Sequence, residues 1–166
     1  IAVIGFSAGG HLAANLATST SDDVLVAHGY DPDAVRPNGL MLAYPVITSG
    51  PLAHRGSFDS LLGERRNDSE ALESVSIERH IDAKTPPVFV WHTGPDEVVP
   101  YENTLMLIDA CKKAGVSIEA HLFPQGGHGL SLGTAETAWQ GVSGIEPSIQ
   151  IWPQLAVSWM RRTFAR

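Results

Sequence analysis

At 166 residues the chain is one domain's worth, and its 43% apolar and 17% charged composition is ordinary for a globular fold able to bury a core. Eleven Lys and Arg against eighteen Asp and Glu leave a net charge of −7, and basic residues cluster no further than the pairs Arg65-Arg66 and Arg161-Arg162, which argues against a nucleic-acid partner. A lone Cys111 excludes an internal disulfide framework, and no apolar run approaches the roughly 20 residues of a membrane span.

Ile1 to Ile4 is an unbroken apolar run, which suits a parallel strand covered on both faces. Gly5-Phe6-Ser7-Ala8-Gly9-Gly10 follows, and then His11 to Ala17, rich in good helix formers. This is strand, turn, helix around G-x-S-x-G. Such a turn pushes Ser7 into a strained backbone region, with the glycines on either side avoiding clashes, and lifts its hydroxyl off the sheet edge. The next amide, Ala8 N–H, then lies at a positive helix N-terminus, where it can donate to a developing oxyanion. A glycine-rich turn with an incidental serine is the plain alternative. The chain begins without Met, inside a strand that reads as central, so an N-terminal portion carrying further strands is expected before it. The lack of a visible signal peptide therefore leaves the compartment open.

Thr18 to Asp23 reads as a polar turn, and Gly29 to Asp33 with Pro37-Asn38-Gly39 as loop. Gly39 to Ala43 is a second apolar strand, closed by Tyr44-Pro45. Residues 46–87 differ in character. Short amphipathic pieces, Ser57 to Leu62 before Gly63 and Ser69 to Ile77 with Leu72, Val75 and Ile77 on one face, predict a small helical excursion over the carboxyl edge of the sheet. It is either part of a substrate wall or a solvated surface connection. Val88 to His92 is a third apolar strand, running into Thr93-Gly94-Pro95-Asp96-Glu97. Tyr101 to Ala114 predicts a helix with Leu105, Ile108 and a buried Cys111 along one side, stopped by Gly115. Ser117 to Phe123 alternates as an outer strand with one wetter face would. Gly126-Gly127-His128-Gly129 follows, then a glycine-rich loop to Ser148, and a last helix with Pro153 in its first turn, burying Leu155, Trp159 and Phe164. Strands alternating with helices predict an α/β fold with a parallel sheet.

A nucleophilic serine needs a histidine base, itself oriented by a carboxylate, and in this architecture they follow in the order Ser, Asp, His. Asp96 stands just beyond a strand end, although Gly-Pro-Asp-Glu is also good turn chemistry and Glu97 is a possible stand-in. Of seven histidines, His28, His54 and His80 lie in polar stretches, His92 and His121 in strands where packing or exposure explains them, and His11 falls beneath the turn. His128, between glycines and after Asp96, is the candidate base.

Beyond the Ser7 turn, the blocks Tyr44-Pro45-Val46-Ile47, Gly56 to Gly63, Pro86 to Thr93 with Asp96 to Pro100, and Gly126 to Leu130 make the chain resemble the α/β-hydrolase esterases typified by acetyl xylan esterase and feruloyl-esterase-like proteins. The resemblance covers most of the chain. It implies an α/β-hydrolase fold whose C-terminal part is residues 1–166, lacking N-terminal strands. It also implies Ser7, Asp96 and His128 as the triad and Ala8 as the inner oxyanion donor. The family's other donor lies in an early His-Gly-Gly loop that this sequence does not contain.

The reading is then a serine carboxylesterase acting through an acyl-enzyme on short acyl esters, acetyl esters of carbohydrate among them, with no metal or cofactor and no membrane partner. Carbohydrate rests on the resemblance alone. Ala8 after the serine suits esterases better than prolyl-oligopeptidase-type peptidases, which usually carry an aromatic residue there. A non-catalytic binding module of hydrolase fold is the other alternative, and exposed apolar edges predict self-association.

Overall fold

The computed structural model describes residues 1–18, 22–140 and 143–165. Residues 19–21 of the expected polar turn, and two residues of the loop expected between Gly129 and Ser148, lie outside the described residues. Four strands, β1 (Ala2–Phe6), β2 (Gly39–Ala43), β3 (Val88–Thr93) and β4 (Ile118–Phe123), form one sheet in the order β1-β2-β3-β4. All three pairings are parallel, with Ala2 opposite Gly39, Leu40 opposite Val88 and Val88 opposite Ile118. Every carboxyl end therefore points the same way. In an open parallel sheet that is the edge where ligand sites form.

Helices cover both faces, because successive strand residues point to opposite sides. Leu40, Leu42, Val88 and Val90 pack with Ala13, Ala14 and Ala17 of α1 (Ala8–Thr18) and with Leu107 and Cys111 of a long helix, Glu102–Ala114. The alternate residues Phe89 and Trp91 pack on the other face against Trp152, Ala156 and Trp159 of the C-terminal helix, Trp152–Phe164. Small alanines let α1 lie close on the sheet, while tryptophans fill the wider opposite layer. β3 is buried along its whole length. Cys111 is buried too, and burial pushes its thiol up to about 11.

Between α1 and β2 lie two short helices, α2 (Asp22–Ala27) and α3 (Pro32–Val35), which take in the end of the expected polar turn and, at Asp33, of the expected loop. Asp31 caps α3 by accepting from Asp33 N–H, and Pro32 opens its first turn, so the Asp-Pro-Asp cluster is a helix start. The excursion contains α4 (Arg55–Leu62) and α5 (Ser69–Ser74), the latter capped by Asp68. Glu102–Ala114 and Trp152–Phe164 are thus α6 and α7. Asn103, 0% exposed, clips the excursion to the loop after β3: its Oδ1 accepts from Ile47 and Thr48 N–H, and its Nδ2 donates to Leu52 and Pro100 carbonyls.

Several expectations are corrected. The buried stripe of α6 is Asn103, Thr104, Leu107 and Cys111, while Leu105 is exposed, since two polar residues with satisfied hydrogen bonds take the inward positions. In α7, Phe164 is exposed and Leu155 only half-buried, and Trp152 and Ala156 are buried instead. On β4, Leu122 is exposed while His121 packs on Phe89 and Phe123 on Trp91, so the apolar-looking side of that strand is the wetter one. No helix among the described residues is long and apolar enough to cross a membrane.

Candidate active site

All three residues singled out for acyl transfer project from the carboxyl edge of the sheet. Ser7 follows β1 directly, Asp96 stands three residues beyond β3, and His128 five beyond β4. Ser7 has φ 53°, the left-handed conformation expected for the turn. Its backbone is tied on three sides: N–H donates to Ala43 O at 3.0 Å, and its carbonyl accepts from Gly10 and Val46 N–H. Gly5 is sterically required, since a Cβ there would stand 2.3 Å from Gly9 O. The second tight position is Gly10, where a Cβ would approach Pro45 Cβ to 2.8 Å; at Gly9, expected to be the other crowded glycine, a Cβ meets no described atom within 4 Å.

His128 Nε2 lies 2.7 Å from Ser7 Oγ, and His128 Nδ1 lies 2.6 Å from Asp96 Oδ2. Asp96 has a fully buried side chain, and burial alone would raise its pKa. Hydrogen bonds from His128, His92 and Val99 N–H, together with the charge of His128, outweigh that and hold the carboxyl well below the usual carboxylate range. An ionised Asp96 only accepts, so His128 Nδ1 carries the hydrogen and Nε2 is left to accept from the Ser7 hydroxyl. Asp96 Oδ1 is held independently by Val98 and Val99 N–H, each at 2.9 Å.

Ala8 is the first residue of α1, so its N–H has no carbonyl four residues back to bond within the helix. It lies at the positive end of α1, next to Ser7 in the chain. Ala8 is exposed and Ser7 half-exposed, so a solvent-borne molecule can reach both. Glu97, the stand-in carboxylate, is exposed. His11 is buried beneath the turn, donating from Nε2 to Val75 O at 2.7 Å and packing edge-on against Phe58.

Two residues at the site escaped the sequence reading. Tyr44, read as the close of a strand, has φ 38° and sets its ring edge-on to His128 with centroids 4.9 Å apart. Its hydroxyl accepts from Ser131 N–H at 3.1 Å, while Trp152 Nε1 donates to Ser131 O at 2.8 Å, so the loop carrying His128 is pinned on both sides. The signal for Tyr44 was its place, one residue past the end of β2 and before a proline. The other is His92, explained at first by packing, whose ring bonds Asp96; a histidine ending an otherwise apolar buried strand was its signal.

A parallel sheet sandwiched by helices, with a serine on a strained strand-to-helix turn and later sheet-end loops delivering a histidine and an aspartate to it, defines an α/β-hydrolase. The BD-FAE family model matches residues 1–110, and the chain belongs to that family. It is 36% identical over 143 residues to endo-1,4-beta-xylanase B of Butyrivibrio fibrisolvens, and 30% identical over 138 residues to an acetylxylan esterase of Xylanibacter ruminicola. Those matches cover 85% and 81% of this chain but 22% and 26% of the relatives, so the chain spans about a quarter of their length. Among solved structures, an acetyl ester-xyloside bifunctional hydrolase from Caldicellulosiruptor lactoaceticus matches with TM-score 0.79 and 38% identity, over 98% of this chain and 56% of that one. A carboxylesterase from Lactobacillus plantarum matches with TM-score 0.78 and 29% identity, over 98% of this chain and 58% of that one.

Proposed function

We propose that the protein containing this chain is a serine carboxylesterase that hydrolyses short acyl esters, acetyl esters of carbohydrate in particular, through an acyl-enzyme on Ser7. The observation that carries the reading is the continuous hydrogen-bonded path from Ser7 Oγ through His128 to the buried Asp96, at 2.7 and 2.6 Å. Ser7 Oγ attacks the ester carbonyl carbon as His128 Nε2 takes its proton. Asp96 stabilises the imidazolium through Nδ1–H, and Ala8 N–H donates to the carbonyl oxygen as it becomes an oxyanion. The tetrahedral intermediate collapses, and the departing alkoxide takes the proton from His128. Water, deprotonated by the same imidazole, then cleaves the acyl-enzyme to release the acid and regenerate Ser7.

The acetyl and carbohydrate assignment is supported by the acetylxylan esterase and the acetyl ester-xyloside hydrolase to which the chain is similar. Parallel assays of the whole protein on acetylated xylo-oligosaccharides and on aminoacyl-proline amides test the reaction class. Turnover of the acetyl esters is expected to dominate, and faster cleavage of the amides would make the protein a peptidase.

A further inference from the structure

His92 ends the buried strand β3 with 0% exposure, and both of its ring nitrogens are engaged. Nε2 faces Val99 O at 3.0 Å and Asp96 Oδ2 at 3.2 Å. A carbonyl oxygen cannot donate, so Nε2 carries a hydrogen, shared between these two acceptors. Nδ1 lies 2.8 Å from Thr104 Oγ1, on α6, a hydroxyl able to donate to it. A ring with its hydrogen on Nε2 thus satisfies all three contacts, with Thr104 on the far side fixing its orientation.

Asp96 sits on a loop, and the terminal torsion of an aspartate is soft. Among the described residues its Oδ1 is anchored to Val98 and Val99 N–H, within the same loop. His92 supplies the anchor from outside, from the most buried strand and its neighbouring helix, and it reaches the same oxygen that accepts from His128. By also holding Val99 O, it fixes the loop at the residue whose N–H grips Oδ1.

We infer that His92 is a positioning residue: held by Thr104 on α6, it keeps Asp96 Oδ2 in line with His128 Nδ1. The inference rests on the proposed reading that Ser7, His128 and Asp96 act as a unit. Its test uses His92→Leu, which removes the donor, and His92→Gln, which keeps an N–H near the place of Nε2, both in the whole protein. The far-downfield proton resonance of His128 Nδ1–H, assigned by its loss in His128→Gln, is read alongside kcat and KM for p-nitrophenyl acetate. In folded His92→Leu the resonance shifts and broadens and kcat falls about 10-fold while KM stays within about twofold. His92→Gln recovers the resonance and most of kcat. An unchanged resonance and kcat in folded His92→Leu, or a folded Gln variant no better than Leu, overturns the inference. If the Leu variant does not fold, Thr104→Val serves, with a smaller shift of the resonance expected and an unmoved one counting against the role. The resonance reads the Asp96–His128 bond whichever group is the nucleophile, so activity surviving in Ser7→Ala would overturn the serine reading and leave this result standing on its own.

Discussion

The histidine beneath the Ser7 turn ties the chemistry to stability. Burial lowers the pKa of His11 from its ordinary 6.5, against the opposing pull of its bond to Val75 O and the nearby charge of Glu78. The folded state therefore binds this proton less readily than the unfolded chain. Stability from His11 is fully present above 6.5 and is lost as pH falls from there toward the lower folded value. Asp96, also depressed, loses its contribution only in far stronger acid, so the two windows separate. Thermal melting followed from pH 7.5 to 5.5 is expected to show a fall in Tm that His11→Gln flattens. An equally steep fall in the variant would assign that pH dependence to another group. At this scale the candidates Ser7, Asp96 and His128 were legible because each stands in a short, chemically unusual setting: a serine with a glycine two residues to either side, a carboxylate just past an apolar strand, a histidine between glycines. His92 and Tyr44 were not, because what distinguishes them is a partner distant in the chain, Thr104 for one and Ser131 for the other.

Each element places its residue by a local device. The turn from β1 to α1 depends on backbone packed against backbone, and Gly5 is where the fit is tightest. Gly5→Ala is expected to lower stability by about 2 kcal/mol or more, since the atom a Cβ would meet at 2.3 Å is the Gly9 carbonyl and not a movable side-chain end. Urea unfolding of the variant measures this, and a loss under about 0.5 kcal/mol would show that the turn opens at little cost. Continuous apolar runs made β2 and β3 readable, alternation made β4 readable, and Gly115, at φ 73°, ends α6 where expected. Which side of α6 faces inward was misread, because apolar content alone did not anticipate hydrogen-bonded Asn103 and Thr104 inside; for β4 one wetter face was expected, and Leu122 lies on it. The short helices α2 and α3 carry too few residues to show a period, and only the Asp31-Pro32 start marks one of them.

For the molecule as a whole, one parallel sheet with a common carboxyl edge brings together residues 121 positions apart, and that assembly is the substance of the proposed function. Alternating strands and helices made an α/β fold with a parallel sheet legible from sequence, and the α/β-hydrolase architecture was implied by the resemblance of its motif blocks. The excursion of residues 46–87 docks against α1, through His11 with Val75 and Phe58, which the sequence left open between wall and surface connection. The measurement that tests the central claim most directly is covalent labelling of the whole protein by a fluorophosphonate probe, with Ser7→Ala and p-nitrophenyl acetate turnover measured beside it. The account predicts one label, on Ser7, with labelling and turnover both abolished in the variant. Turnover that survives in Ser7→Ala, or a label on another residue, would contradict it.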